Sequence, residues 1–380
     1  MRGKVLNMSN TLSALLDRLR DWRDRKLADP RLRARLLANP LTRFYARRRA
    51  KAMLDLCAGF VYSQTLFACV QVKLFDELRA GPQNVEALAP KLGLKPNSAR
   101  RLLEAASALN LASRRGDGRY ALGDLGAALI GTPEALALIE HQPILYADLA
   151  DPVALLRGEK ETQLSRYWPY STGATPQELN AEAVAPYSVL MTASNGLWSE
   201  TALAAYDIAQ HKRLLDVGGG EGVFLATAAA RAPNLELMLF DLPAVAERAR
   251  ARLTEAGLAA RAQIFSGDFL KDRLPEGADA ISLVRIVHDH DDASALALLR
   301  NVRRALPEGG TLLIVEAISD APGAEALCAY YAFYTLAMGR GEPRRFAQIA
   351  ALLQQAGFAS VRLVETPLPT ATSLIIAKAG

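Results

Sequence analysis

The chain has 380 residues, of which 51% are apolar and 22% charged, a mix that suits a soluble protein with a sizeable core and excludes a disordered or collagen-like one. At roughly 100–200 residues per domain the length suggests two domains or a little more. Cys57, Cys69 and Cys328 are too few and too scattered for a disulfide framework or a zinc cluster, so a reducing cytoplasm is expected. The net charge of +5 is uneven: residues 1–50 carry fourteen Lys or Arg against four Asp, and the rest is net acidic.

In chain order, residues 1–50 form a basic arm. Leu12, Leu15, Leu16, Leu19 and Trp22 recur at helical spacing among arginines, and Pro30 and Pro40 are expected to break the arm into short pieces. Such a basic amphipathic piece suits an anionic membrane surface or nucleic acid; packing on a partner subunit is the plainer reading. The arm lacks the apolar run and cleavage site of an export signal. Residues 53–75 are the most apolar stretch, but Asp55, Ser63, Gln64, Gln71 and Lys73 interrupt it, so it is expected not to span a bilayer. Burial between subunits fits it better.

A second segment, 51–205, is expected to be helical. Residues 84–94 and 97–109 read as two helices about a turn at Gly93, with Asn97 as N-cap of the second. Gly116, Asp117 and Gly118 then turn a hairpin over 111–122. Together these make a winged helix. Nucleic acid is not the expected partner, because the candidate recognition helix offers only Arg100, Arg101 and Glu104 on an Ala- and Leu-rich face. Tyr167, Trp168 and Tyr170 form an aromatic cluster further on. The third segment, 206–380, alternates strands at 213–217, 237–240, 262–265, 278–284 and 311–315 with helices, which predicts an α/β fold with a parallel, doubly wound sheet.

The strongest local signal is the run Asp216, Gly218, Gly220 and Gly222, which follows an apolar strand and opens a helix. Glycines there let the backbone turn tightly and approach a ligand at a helix N-terminus. Nineteen positions past Gly222, at the end of the next strand, Asp241 precedes Leu242; an acid there can accept two ribose hydroxyls. A nicotinamide dinucleotide and S-adenosylmethionine compete for such a site, and a purely structural turn with a capping Asp is the third reading. The spacing Asp-x-Gly-x-Gly-x-Gly departs from the Gly-x-Gly-x-x-Gly of nicotinamide enzymes. The third strand ends in Gly267, Asp268 and Phe269, where a carboxylate and an aromatic face suit a purine.

The fourth strand ends in Arg285, then His288, Asp289, His290, Asp291 and Asp292. A histidine at that edge can take a proton from a hydroxyl. A metal cluster is the rival reading, but consecutive residues at a strand end point in alternating directions, so no metal is expected.

The glycine run resembles motif I of the class I S-adenosylmethionine-dependent methyltransferases. With Asp241-Leu242, Gly267-Asp268-Phe269, Arg285, His288-Asp289 and the run from Ala305 to Glu316, in this order, residues 50–380 resemble the plant-type small-molecule O-methyltransferases. That resemblance implies a Rossmann-like methyltransferase domain behind a winged-helix domain used for homodimerisation. It also implies His288 as general base, Glu316 as the glutamate that orients it, and Asp216, Gly218, Gly220, Gly222, Asp241, Leu242, Gly267, Asp268, Phe269 and Arg285 as cofactor-binding residues. Glu342 is expected as a second orienting glutamate, although it falls about one residue off the usual register. His290 stands where the family usually has Trp.

A narrower resemblance, carried by stretches at 55–64, 146–159, 167–170, 287–292 and 331–339, is to the 1-hydroxycarotenoid O-methyltransferases of purple photosynthetic bacteria. It implies methylation of the tertiary hydroxyl of an acyclic carotenoid such as demethylspheroidene. A lipophilic substrate and a cytoplasmic enzyme peripheral to the inner or photosynthetic membrane through residues 1–50 would follow. Tyr330, Tyr331, Phe333, Tyr334 and Met338 recur at helical spacing and could line a polyene channel, or serve as core or dimer contact. A phenol, a bacteriochlorophyll-type tetrapyrrole, and a non-catalytic winged-helix regulator remain as alternatives.

Overall fold

The computed structural model describes residues 2–167 and 181–380, with side chains from residue 14 onward except 181–190 and 193. Trp168, Pro169 and Tyr170 of the aromatic cluster lie outside the described residues. The chain divides into two compact units, Met1–Gly123 and Asp124–Gly380.

In the first unit, α1 (Arg2–Ala28), α2 (Pro30–Ala38) and α3 (Arg43–Gln71) follow one another with short breaks. Pro30 starts α2 instead of merely ending α1: it occupies the first turn, where no amide hydrogen is needed, and Asp29 caps it by accepting from the Arg31 amide at 2.8 Å. The expected boundary at residue 50 falls inside α3, because the change in charge there brings no helix breaker with it. By length and composition alone α3 is long and apolar enough to cross a membrane, with a mean hydropathy of 1.4 over its apolar stretch, a test that apolar helices of soluble proteins also pass. Leu56, Phe60 and Phe44 stand out from it, each more than two-thirds exposed.

Next come α4 (Leu74–Arg79), α5 (Val85–Lys91) and α6 (Pro96–Ala108), then the antiparallel pair β1 (Ala112–Arg114) and β2 (Tyr120–Leu122). This is the predicted winged helix. Asn84 caps α5 through the Ala87 amide at 2.8 Å. Asn97 does not cap α6, since Pro96 with its preset φ already fills the first turn and Lys95 is the capping position.

The second unit opens with α7 (Asp124–Ile130), α8 (Pro133–Asp148), α9 (Pro152–Leu156), α10 (Gln163–Tyr167) and α11 (Ala181–Ala204). The expected boundary at 205 thus gives way to one at 123. The cause is packing: Leu145, Leu155 and Leu164 share a buried cluster with Tyr334, Ala337 and Met338, and the Thr162 hydroxyl donates to the Ala337 carbonyl at 2.6 Å.

The rest is a three-layer α/β fold. Its strands and helices are β3 (Arg213–Val217), α12 (Val223–Arg231), β4 (Glu236–Asp241), α13 (Pro243–Glu255), β5 (Ala262–Ser266), β6 (Ala280–Val284), α14 (Asp292–Ala305), β7 (Thr311–Glu316), α15 (Glu325–Met338), α16 (Phe346–Gln355), β8 (Phe358–Val364) and β9 (Ser373–Ala379). The sheet order is β5-β4-β3-β6-β7-β9-β8. All five predicted strands are present and parallel, while β9 runs antiparallel to both its neighbours. Every residue of β6 and β7 is buried, as a sheet covered on both faces requires. The chain runs outward from β3 to β5 and then returns to β6 beside β3. That reversal opens a crevice at the strand ends between β3 and β6, the usual place for a ligand in such a sheet.

Candidate active site

A cleft of about 150 Å³ lies at this switch point, lined by Gly218, Gly220, Asp241, Leu242, Phe269 and Arg285 among others. Gly218, Gly220 and Gly222 all take positive φ (69°, 57° and 79°), the left-handed turn that favours glycine. A Cβ on Gly218 would come within 2.6 Å of Ile286, whereas one on Gly220 would project into open space. At the end of β4 the Asp241 carboxylate accepts from the Gly220 amide at 2.8 Å and from the Leu242 amide at 2.7 Å. Burial pushes its pKa up to about 6 against those two bonds. Asp268, past β5, accepts from the Leu270 amide at 3.0 Å and faces Lys271 at 3.2 Å. Phe269 meets the His290 ring edge-on at 5.5 Å. Arg285 sits at a φ of 59°. It is held from α11, donating to Ser194 Oγ at 2.7 Å and Asn195 Oδ1 at 3.0 Å with its guanidinium over Trp198.

Three predicted cofactor residues work from beneath the cleft and are absent from its lining. Asp216 is fully buried, accepts from Ser282 Oγ at 2.6 Å, and leaves its Oδ2 without a partner under the glycine turn; burial raises its pKa to about 7. Gly222 lets α12 approach Leu253, and Gly267 lets β5 pass the Phe240 ring, where a Cβ would sit 2.7 Å away.

Val287–Asp289, just past β6, forms one 3-10 turn that carries the catalytic candidates. Glu316, at the end of β7 and 1% exposed, accepts from the Val287 amide through Oε1 at 2.7 Å and pairs through Oε2 with His288 Nδ1. His288 Nε2 faces Asp289 Oδ1 at 3.1 Å. Burial opposes the imidazolium, but the two carboxylates override it and raise the His288 pKa well above the ordinary value. Burial would likewise raise the Asp289 carboxyl, yet His288 holds it below the usual range. The tight turn presents both side chains to one place, contrary to the alternation expected of a strand end.

Glu342 is not a second partner of the imidazole. Its amide donates to the His288 carbonyl at 2.9 Å, while its half-exposed carboxylate lies 4.0 Å from Arg344. The second carboxylate beside the imidazole is Asp289, at Nε2, and nothing beyond adjacency in the sequence signalled it. Among the described residues no cluster suits a metal ion.

A second cavity, of about 220 Å³, is lined by Trp198, His288, Tyr330, Tyr331, Tyr334 and Leu138 among others. Asp289, Arg285 and Met191 belong to both cavities. The Tyr331 ring lies 5.5 Å from that of His288. Tyr334 and Tyr330 are fixed by His141 Nε2 at 2.9 Å and by the Gln142 amide at 3.0 Å, and burial lowers the His141 pKa to about 4, so it stays neutral. The cofactor cleft and the aromatic cavity thus meet at Asp289, the carboxylate that faces His288. The cleft suits S-adenosylmethionine: an open glycine turn, a carboxylate at the end of the second strand and an aromatic face after the third.

Residues 146–359 match the O-methyltransferase domain family and residues 54–132 the O-methyltransferase dimerisation domain. The chain is 46% identical over 340 residues to demethylspheroidene O-methyltransferase of Cereibacter sphaeroides, covering 89% of each. It is 39% identical to the protein of that name from Rhodobacter capsulatus, covering 90% of this chain and 85% of the other. Among solved structures, the S-adenosylmethionine-dependent methyltransferase SibL matches with a TM-score of 0.71 and 28% identity, over 86% of this chain and 98% of that one. The chain belongs to the S-adenosylmethionine-dependent O-methyltransferase family.

Proposed function

We propose that this enzyme methylates the tertiary 1-hydroxyl of an acyclic carotenoid of the demethylspheroidene type, as a homodimer, with His288 as general base. The observation that carries the reading is His288, held by Glu316, at the wall of an aromatic cavity that shares Asp289 and Arg285 with the cofactor cleft. The names of the two bacterial relatives support the acceptor.

When bound, S-adenosylmethionine supplies an electrophilic methyl carbon. Gly218, Gly220, Asp241, Asp268 and Phe269 would hold it. His288 must first be neutral, and Asp289 must leave Nε2, so that this nitrogen can accept the acceptor's hydroxyl proton. Glu316 stabilises the imidazolium that forms and fixes its orientation. A tertiary alcohol is a far weaker acid than a phenol, so a dry, apolar pocket and a strongly basic imidazole both matter here; the tyrosine-lined cavity and the carboxylates around His288 answer these needs. The dimerisation-domain match favours a second copy as the cover for the exposed apolar residues of α3. The basic arm, with Leu15, Leu16, Leu19 and Trp22 exposed, gives the enzyme peripheral contact with an anionic membrane holding its acceptor.

The test is mass spectrometry of the product formed from labelled S-adenosylmethionine and a detergent-dispersed 1-hydroxycarotenoid. One labelled methyl on the tertiary oxygen is expected. No transfer to that acceptor, with cofactor binding intact by calorimetry, would overturn the carotenoid assignment.

A further inference from the structure

The stretch Gly341-Glu-Pro-Arg-Arg345, which follows α15, acts on the catalytic turn in a way its glutamate does not. Arg344 is 2% exposed. Its Nη1 donates to the Val287 carbonyl at 2.8 Å, its Nη2 to the His290 carbonyl at 2.7 Å, and its Nε to Asp292 Oδ1 at 2.9 Å. Between those two carbonyls lies that of His288, which accepts from the Glu342 amide at 2.9 Å. Gly341, at a φ of 85°, runs so close beneath the turn that a Cβ there would meet the His288 carbonyl at 2.2 Å. The turn is therefore gripped on its amide side by Glu316 from β7 and on its carbonyl side by residues 341–344.

We infer that Arg344 is a positioning residue for methyl transfer: by binding the carbonyls on either side of His288 and Asp289, it fixes the turn that aims the imidazole at the acceptor cavity. The inference rests on the reading of His288 as the base. A planar guanidinium suits the task because its fork reaches two carbonyls at once, which a lysine ammonium on a flexible stem cannot do in one fixed geometry. Burying the cation is costly, and for stability alone an apolar side chain of similar volume often serves as well. Here it would leave the Val287 and His290 carbonyls without their donor. Displacing a catalytic group by about 1 Å can cost roughly 10²-fold in rate.

The test compares Arg344→Lys, Arg344→Met and Gly341→Ala with the wild type in the full-length enzyme. Gly341→Ala presses on the His288 carbonyl of the same turn without touching a charge. The readouts are kcat and KM on a detergent-dispersed 1-hydroxycarotenoid, S-adenosylhomocysteine affinity by calorimetry, and the His288 ring nitrogen signals by NMR, assigned with His288→Gln. Expected are a kcat lower by about 10-fold in Arg344→Lys and about 100-fold in Arg344→Met, KM and affinity within about twofold, and displaced His288 signals in all three variants. If Arg344→Met does not fold, the other two variants decide. Wild-type kcat with unmoved His288 signals in Arg344→Lys and Gly341→Ala overturns the inference. A fully active His288→Ala overturns the base reading and this inference with it, whereas an inactive His288→Ala beside a wild-type Arg344→Lys removes only the role of Arg344.

Discussion

Residues 218–222 supply the glycine turn of the cofactor cleft within a single strand-to-helix connection, and Asp241 completes it from the next strand. His288, at the end of neighbouring β6, takes its orientation from Glu316, 28 residues later, and its backbone anchorage from Arg344, further on still. One half of the active centre is a local backbone conformation, and the other is a convergence of distant segments. A backbone turn tolerates a lost side chain and fails through a changed φ or an added Cβ. A convergence fails one side chain at a time, and each failure has its own kinetic signature.

The largest effect should come from His288. His288→Ala is expected to lower kcat by roughly 10²–10⁴-fold, the share of a general base, with S-adenosylhomocysteine affinity unchanged by calorimetry. Loss of cofactor binding in that variant would erase the distinction between the two halves. Asp241→Ala should do the reverse. Removing a charged hydrogen-bond partner costs about 1.5–3 kcal/mol, so cofactor affinity is expected to fall roughly 10- to 100-fold. Saturating cofactor should restore most of kcat in a steady-state titration.

The two halves also differed in how far they could be read from the sequence. Strands β3 to β7 were legible because four of them are nearly continuous apolar runs bounded by turn residues; β8, with polar residues interspersed, and β9, although an apolar run, were not read. Seven of the ten predicted cofactor residues line the cleft, because a glycine turn and a strand-end acid are local features. Asp216, Gly222 and Gly267 belong to the same motifs but work by packing under them, which spacing cannot distinguish from ligand contact. On the catalytic side His288 was legible as a histidine at a strand end, while Glu316 came only from the family resemblance. Asp289 was hidden by the assumption of an extended backbone, and Arg344 by sequence distance: no local pattern announces that a buried arginine will meet a turn more than fifty residues away.

Asp289 offers a gentler way to separate the halves, since it borders both cavities. The base acts only when neutral, so kcat should rise with pH through a midpoint well above the ordinary histidine value. Glu316 and Asp289 both raise that midpoint against the burial that lowers it. Asp289→Asn removes one of the two charges and should shift the rising limb to lower pH, as a pH profile of kcat at saturating cofactor would register. An unmoved limb would mean that the contact at His288 Nε2 has no hold on its proton.

The smallest effect is expected where the family pattern pointed to a second catalytic glutamate. What residue 342 gives the turn is its amide hydrogen, which any residue but proline supplies; its carboxylate is half-exposed and 4.0 Å from the nearest Arg344 nitrogen. At that distance and with the carboxylate facing solvent the contact contributes little, on the order of 0–1 kcal/mol, and the buried Arg344 keeps Asp292 as its close acidic partner. Glu342→Gln should therefore leave kcat within about twofold and the pH profile in place. A loss near that of His288→Ala would require the Glu342 side chain to swing inward during turnover. The catalytic half would then be assembled by the acceptor, and not already built as Arg344, Glu316 and the turn between them indicate.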